Sequence, residues 1–290
     1  MLSVDARIAL VAPSGVFDPA RLARGIEMAK SWGYKIVPGR YLRDQHRYLA
    51  GTQDARATDL QWALCAPDID AVWFARGGYG TSQLLSKIPW GELDGRPVIG
   101  FSDATALFAA LHRKGKGGGI HGPVLHSLAD LTDEESQQAL RNVLNGRAVG
   151  LPVRHLGGPE REVDGLVVGG NLCVLSSLVG TQWQLPTADR IVVLEDVAEE
   201  PYKIDRQLLQ MVDGGGLWES AGIVFGHFQG CDPPSGADWS LNDVFLECLS
   251  HLDIPLYCGL PVGHGSKNMA WMVGAPGTLG PDGLRQISVD

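Results

Sequence analysis

No apolar run in this chain approaches membrane-spanning length, so nothing in it reads as a transmembrane helix. Runs of lysine or arginine are missing too, and the formal net charge is −9. Both features argue against nucleic acid or an anionic membrane as a partner. The overall field repels anions, so any carboxylate-binding site must be local. Cysteine is scarce: Cys65, Cys173, Cys231, Cys248 and Cys258 are odd in number and widely scattered. They form no CxxC pair and no metal-ligand spacing, which implies reduced thiols rather than a disulfide framework or a metal centre. The stretch Met1 to Arg7 has neither the basic segment nor the apolar core of a secretory leader, so a cytoplasmic location is expected. Repeats and low-complexity segments are likewise lacking.

What is present suits a folded globular protein. The 290 residues, 44% hydrophobic and 20% charged, are enough for one large or two medium domains with a real core. Residues 7–14 read as a buried strand. Asp18-Pro19 reads as a helix start, with an N-cap residue followed by proline at the first helical position. A second strand runs from Tyr34 to Val37, Thr52 opens another helix, and Ala71 to Ala75 forms a third strand. The loop Arg76-Gly-Gly-Tyr-Gly80 and a helix through Leu84-Leu85 follow. This alternation, with apolar rather than alternating strands, predicts a parallel sheet covered on both faces, with reactive groups at the carboxyl ends of its strands. Loops at Ser14, Arg76–Gly80 and Ser102 all fall at such ends.

Thr132 and Glu135 read as a capping box for a surface helix ending at Asn145-Gly146. Between about 147 and 165 the pattern dissolves into glycine, proline and charge, and the domain boundary is placed there. The expected units are 1–150 and 165–290. In the second, Leu166 to Val168 reads as a short strand before Gly169-Gly170-Asn171. Ile191 to Leu194 is a buried strand ending in Glu195-Asp196. The stretch 271–289 alternates between turns as antiparallel strands do.

Val98 to His112 carries the main chemical signal. Val98, Ile99 and Phe101 form a strand, and Ala104, Leu107, Phe108 and Leu111 recur at helical spacing. Ser102 sits at the changeover, two residues after Gly100 and two before Ala104. A strand-turn-helix with a serine at its tip has the geometry of a nucleophile elbow, although Ser102 or Asp103 as a simple helix cap fits the same residues. A serine nucleophile needs a base and a group to orient the base. Of the eight histidines, His264 fits best, flanked by Gly263 and Gly265 directly after an apolar strand. His121, in a glycine-rich turn, is a candidate to line the pocket. Glu195 is the candidate orienter because a charge next to Ile-Val-Val-Leu needs a specific partner. Asp196 is its rival, and a salt bridge from Glu195 to Lys203 or Arg206 is the alternative role.

Ala-Arg-Gly-Gly-Tyr-Gly at 75–80, Gly-Phe-Ser-Asp-Ala-Thr-Ala-Leu at 100–107 and His-Gly-Pro at 121–123 resemble signature blocks of the LD-carboxypeptidase family. So do Gly-Gly-Asn-Leu at 169–172, Leu-Glu-Asp-Val-x-Glu-x-Pro-Tyr-x-Ile-Asp-Arg at 194–206 and Leu-Pro-Val-Gly-His-Gly at 260–265. The blocks occur in order across nearly the whole chain. The family comprises muramoyl-tetrapeptide carboxypeptidases and the related microcin C immunity peptidases. The resemblance implies a flavodoxin-like parallel-sheet N-terminal domain and a mixed β/α C-terminal domain of swivelling type, with the active site at their junction. It implies a serine peptidase with Ser102 as nucleophile, Glu195 as orienting carboxylate and His264 as base. The oxyanion hole maps to the backbone N–H groups of Gly78 and Asp103. It further implies a cytoplasmic homodimer that needs no metal or other cofactor and releases D-alanine from murein tetrapeptides. Arg76, Tyr79 and Arg206 are candidates to bind substrate, the two arginines through its free carboxylate.

This sequence departs from the family pattern at Phe101 and Ala104, at His227 where an acidic residue is common, and at the bulky Trp271-Met272. The alternative within the family is a peptidase acting on aminoacyl-nucleotide analogues, with Trp239 stacking on the base. Outside it, the alternatives are a binding protein using Gly77–Gly80 as a phosphate cradle, or a silent scaffold.

Overall fold

The computed structural model describes residues 2–287 as an α/β molecule with two sheets. Strands β1 (Arg7–Val11), β2 (Lys35–Pro38), β3 (Ala71–Phe74), β4 (Val98–Gly100) and β5 (Gly119–His121) are mutually parallel, in the order β5-β4-β3-β1-β2. The strands are short and apolar, and Val98, Ile99, Trp73 and Phe74 are completely buried. Removing side chains of this size from water contributes roughly 1.5–3 kcal/mol each, which fixes the sheet in the middle of its layer. Helix α1 (Pro19–Ser31) starts where Asp18 accepts from Ala20 and Arg21 N–H groups, with Pro19 in the first turn. Helix α2 (Gln53–Cys65) is capped by Thr52. The chain continues through α3 (Thr105–Arg113), α4 (Leu125–Leu128) and α5 (Glu134–Leu144).

The second sheet uses β6 (Val149–Leu151), β7 (Arg154–Gly157), β8 (Val163–Asn171), β9 (Arg190–Val197), β10 (Gly222–Gln229) and β11 (Leu256–Cys258). A further strand, β12 (Trp271–Val273), comes before the hairpin of β13 (Pro276–Gly280) and β14 (Gly283–Gln286). Its order is β6-β14-β13-β8-β9-β10-β11-β7; β8 to β11 run parallel and the flanking strands antiparallel. Helices α6 (Leu172–Ser177), α7 (Pro201–Asp213) and α8 (Leu241–Leu249) belong to this half.

Strand β12 is the exception: it leaves the second half and pairs antiparallel with β5, Trp271 opposite His121. The first sheet therefore has six strands, one of them drawn from the 165–290 stretch. The 147–165 segment, where the sequence pattern dissolves and the domain boundary is placed, contains β6 and β7, which form the two edges of the second sheet. Edge strands are short and half-exposed, so they carry little of the apolar signal by which a strand is recognised. The segment after the Arg76–Gly80 loop is a 3-10 helix, Thr81–Lys87, rather than an α-helix. The cap of α5 is Asp133, which accepts from Ser136 N–H, while Thr132 turns its hydroxyl to the Ser127 carbonyl. Ser136 faces inward and is fully buried, so the register one residue later seats α5 better.

Candidate active site

Ser102 stands at the end of β4, opening a 3-10 turn (Ser102–Ala104) that runs into α3. Its φ of +61° lies in the left-handed region, which costs a non-glycine residue roughly 1–3 kcal/mol and is retained only where the surroundings dictate it. Neither Ser102 nor Asp103 caps the helix through its side chain. Instead the buried carboxylate of Asp103 accepts from the Ser14 hydroxyl at 2.6 Å and the Thr81 N–H at 2.8 Å. One aspartate thus ties together the three loops at the carboxyl ends of β1, β3 and β4. Among the described residues the N–H groups of Gly78 and Asp103 have no acceptor within the protein. Gly78 is exposed, with φ +115°, and a Cβ there would approach Gly15 N at 3.3 Å. At Gly77 a Cβ would lie 2.8 Å from Ser102 Cβ and 2.9 Å from Oγ, so only glycine lets this loop lie against the serine.

Arg56 holds the same loops from below, a residue that reading the sequence did not single out. Its guanidinium is almost wholly buried without a carboxylate partner. It donates to the carbonyls of Gly51 (3.2 Å), Pro13 (2.5 Å) and Gly80 (3.1 Å) and to Gln83 Oε1 (2.6 Å). The clue available in the sequence was an arginine on the same stripe of α2 as Leu60, Ala63 and Leu64.

The other two residues expected at the site come from the second half. Glu195 and Asp196 point to opposite faces of β9, as successive strand residues must. Asp196 accepts from the Asn171 side chain (2.9 Å) and the N–H groups of Cys173 (2.8 Å) and Val197 (2.9 Å), and burial raises its pKa to about 6. It braces the β8–α6 corner and is not available as an orienter. Glu195, completely buried, accepts from Nδ1 of His264 at 2.8 Å. The salt bridge considered for Glu195 is absent among the described residues: Lys203 pairs with Glu199 at 3.7 Å, and the Arg206 guanidinium lies over the Tyr202 ring, 5.9 Å from its centroid. Burial opposes a charge on His264, but the hydrogen bond and charge of Glu195, aided by Asp196, outweigh it and raise the ring's pKa above 6.5.

A bulge in β10 between Phe225 and Phe228 sets the strand beneath the loop that carries His264. His227 N–H donates to the Val262 carbonyl at 2.7 Å, and Gly263, at φ +140°, turns the chain so that His264 reaches Glu195. The segment beyond is latched to α5: Asn268 N–H donates to Ser136 Oγ at 2.9 Å, and Lys267 pairs with Glu135 at 2.6 Å. On the opposite flank the Asn171 N–H donates to Thr105 Oγ1 at 3.0 Å, and a Cβ on Gly170 would collide with that hydroxyl at 2.4 Å. Both halves therefore meet around the start of α3. The ring of Phe101, the residue before Ser102, lies 4.9 Å from the His264 ring, edge to face. Ser102 Oγ makes no hydrogen bond with His264; such contacts commonly tighten only when substrate is bound.

A cavity of about 510 Å³ opens beside the loop that carries His264, lined by Gly265, Ser266, His227, Gln229, Asp232 and Arg154 among others. His227 thus faces this space, whereas Trp271 is buried behind the site. Arg76 and Tyr79 are exposed on the glycine loop; Arg76 donates to the Val16 carbonyl, and Tyr79 pairs with Tyr48, ring centroids 6.3 Å apart. Arg206 is exposed on α7. Among the described residues no group of three or more His, Cys, Asp or Glu side chains is placed to hold a metal ion, and no helix is long and apolar enough to cross a membrane.

Comparison with known proteins matches this architecture in both halves. Residues 8–122 match the LD-carboxypeptidase N-terminal domain and residues 164–279 the LD-carboxypeptidase C-terminal domain. The chain is 38% identical to a murein tetrapeptide carboxypeptidase of Pseudomonas aeruginosa, over 97% of this chain and 95% of that protein. It is 30% identical to a probable murein peptide carboxypeptidase of Bacillus subtilis, over 94% and 88%. Among solved structures, a muramoyltetrapeptide carboxypeptidase from Oxalobacter formigenes superposes with a TM-score of 0.87 at 28% identity, covering 97% of both chains. The microcin C7 self immunity protein MccF shares the fold, with a TM-score of 0.88 at 21% identity over 100% of this chain and 97% of that one. By sequence and by fold, the chain belongs to the LD-carboxypeptidase family.

Proposed function

We propose that this protein is a serine carboxypeptidase that hydrolyses the L,D-peptide bond preceding the terminal D-alanine of murein tetrapeptides, as part of peptidoglycan recycling in the cytoplasm. The observation that carries the proposal is the hydrogen bond of the buried Glu195 to His264, whose ring lies 4.9 Å from that of Phe101, the residue bonded to a serine held in a left-handed conformation. A carboxylate only accepts, so the bond to Glu195 keeps the proton on Nδ1 and leaves the Nε2 lone pair free. His264 takes the Ser102 proton as the hydroxyl oxygen attacks the carbonyl of the L-centre. Glu195 holds the tautomer and stabilises the imidazolium. The N–H groups of Gly78 and Asp103 receive the oxyanion, an interaction worth about 3–4 kcal/mol of barrier. His264 then protonates the departing D-alanine nitrogen, and a water molecule, deprotonated by the same ring, releases the acyl group. Arg76, Tyr79 and Arg206 remain the candidates for holding the peptide, and the working assembly is a homodimer.

The test is Ser102→Ala. It is expected to keep the fold and lose D-alanine release by about a thousandfold or more. A variant turning over near the wild-type rate overturns the assignment. Running the same assay on an aminoacyl-nucleotide analogue decides between this substrate and the family's other one, for which the half-exposed Trp239 is the stacking candidate.

A further inference from the structure

Phe101 is shared by two histidines. Its ring centroid lies 4.9 Å from that of His264 at an interplanar angle of 61°, and 6.0 Å from that of His121 at 62°. His121 is in turn stacked on Trp271, at 5.2 Å and 20°, the two facing each other across the β5–β12 pair. Both are completely buried, and neither ring nitrogen of His121 nor the indole N–H of Trp271 has a partner among the described residues. An imidazole that makes no hydrogen bond acts through its shape. Burial pushes the pKa of His121 down to about 4, so near neutrality it is an uncharged flat ring. Phe101 therefore has a rigid aromatic wall behind it.

Among the described residues the His264 ring has one hydrogen bond, through Nδ1. A single bond of this kind anchors one ring atom and leaves the plane free to tilt about the N···O line. Tilting moves Nε2, the atom that must meet the serine. The Phe101 ring, packed edge to face with the imidazole, removes that freedom. Phe101 is also the residue bonded to Ser102, so the stop for the base and the hydroxyl are built on one dipeptide.

We propose that Phe101, backed by His121 and Trp271, is a positioning residue that sets the His264 ring plane relative to Ser102. The proposal rests on the roles assigned to Ser102 and His264 above.

Phe101→Leu keeps an apolar side chain and removes the flat ring. With a murein tetrapeptide as substrate, it is expected to lower kcat about tenfold or more while KM stays within about threefold, because misplacement of a base acts on the chemical step. Labelling of Ser102 by a fluorophosphonate slows in parallel. Phe101→Tyr, which restores a ring, recovers at least about a third of wild-type kcat. A leucine variant within about twofold of wild type in kcat, or a tyrosine variant as impaired as the leucine one, overturns the proposal. If circular dichroism shows the leucine variant unfolded, His121→Leu, which removes the wall from behind, enters the same assays with the same expectation for kcat and KM. Wild-type protein that neither labels nor releases D-alanine refutes the functional reading and this proposal with it. A wild type that does both, beside an unaffected leucine variant, refutes the positioning role alone.

Discussion

Nδ1 of His264 donates to one oxygen of Glu195 at 2.8 Å, while the second oxygen of that carboxylate is buried without a partner among the described residues. The hydrogen bond of this carboxylate thus goes to one ring, while its charge is also felt by His121 and His227. This pair has consequences for both rate and stability.

In the proposed role of base His264 works only when neutral, and its pKa is raised. The kcat/KM profile should therefore fall on the acid side with a midpoint above 6.5. Glu195→Gln should move that midpoint down and lower kcat by about a thousandfold to ten-thousandfold, with a small effect on KM. The stability effect has the opposite sense along the pH axis. A histidine raised in the folded state adds stability that is full below about 6.5 and is lost as pH rises through the folded value. Urea titrations across that window should show this slope in the wild type and a flatter one in the glutamine variant.

Gly77→Ala places a methyl 2.8 Å from Ser102 Cβ and 2.9 Å from Oγ. The neighbours are a backbone loop and a strained residue, neither free to yield. We expect a stability loss of about 1–3 kcal/mol by urea unfolding and a fall in kcat of about a hundredfold, since the methyl displaces the proposed nucleophile itself.

Arg56→Met deletes a buried fork that serves three carbonyls and Gln83. Leaving those carbonyls without donors should cost about 3 kcal/mol in a denaturation titration. Arg56→Lys should recover only part of it, because an ammonium cannot reach the same set in one plane. Either change loosens the Gly80 end of the loop that carries Gly78, so activity should fall alongside stability.

His121 has the opposite sign to His264. Its pKa falls from 6.5 to about 4 on folding. The unfolded chain then binds the proton first, and stability is lost as pH falls from 6.5 toward 4, by about 3 kcal/mol in all. His121→Phe removes the group that titrates, so its unfolding free energy should change less over that interval.

Much of this site was legible in the chain. Ser102 between a three-residue strand and a helix, Glu195 at the end of four apolar residues, and His264 between two glycines are local signals. In the structure Ser102 follows the end of β4, Glu195 lies within β9 and His264 stands in the loop beyond β11. The caps at Asp18 and Thr52 were equally readable. What escaped depends on distant partners. Asp103 reads locally as a helix cap, yet its carboxylate reaches Ser14 and Thr81 from other loops. Arg56 reads as a surface charge until three backbone carbonyls converge on it. Asp196 and Glu195 look interchangeable in sequence, and only the strand pleat sends one toward Asn171 and the other toward His264. The strands at 149–151 and 154–157 were hidden because sheet edges need few apolar residues.

Strand β12 has a bearing on how the protein is put together. The last quarter of the chain supplies a border to the sheet begun by the first residues, so neither half owns a complete set of strands. A gene severed near residue 160 would yield two fragments, each missing a piece held by the other. Supplied together, they have reason to reassemble: the first alone leaves an open seam along β5, and the second alone lacks the two strands that edge its sheet.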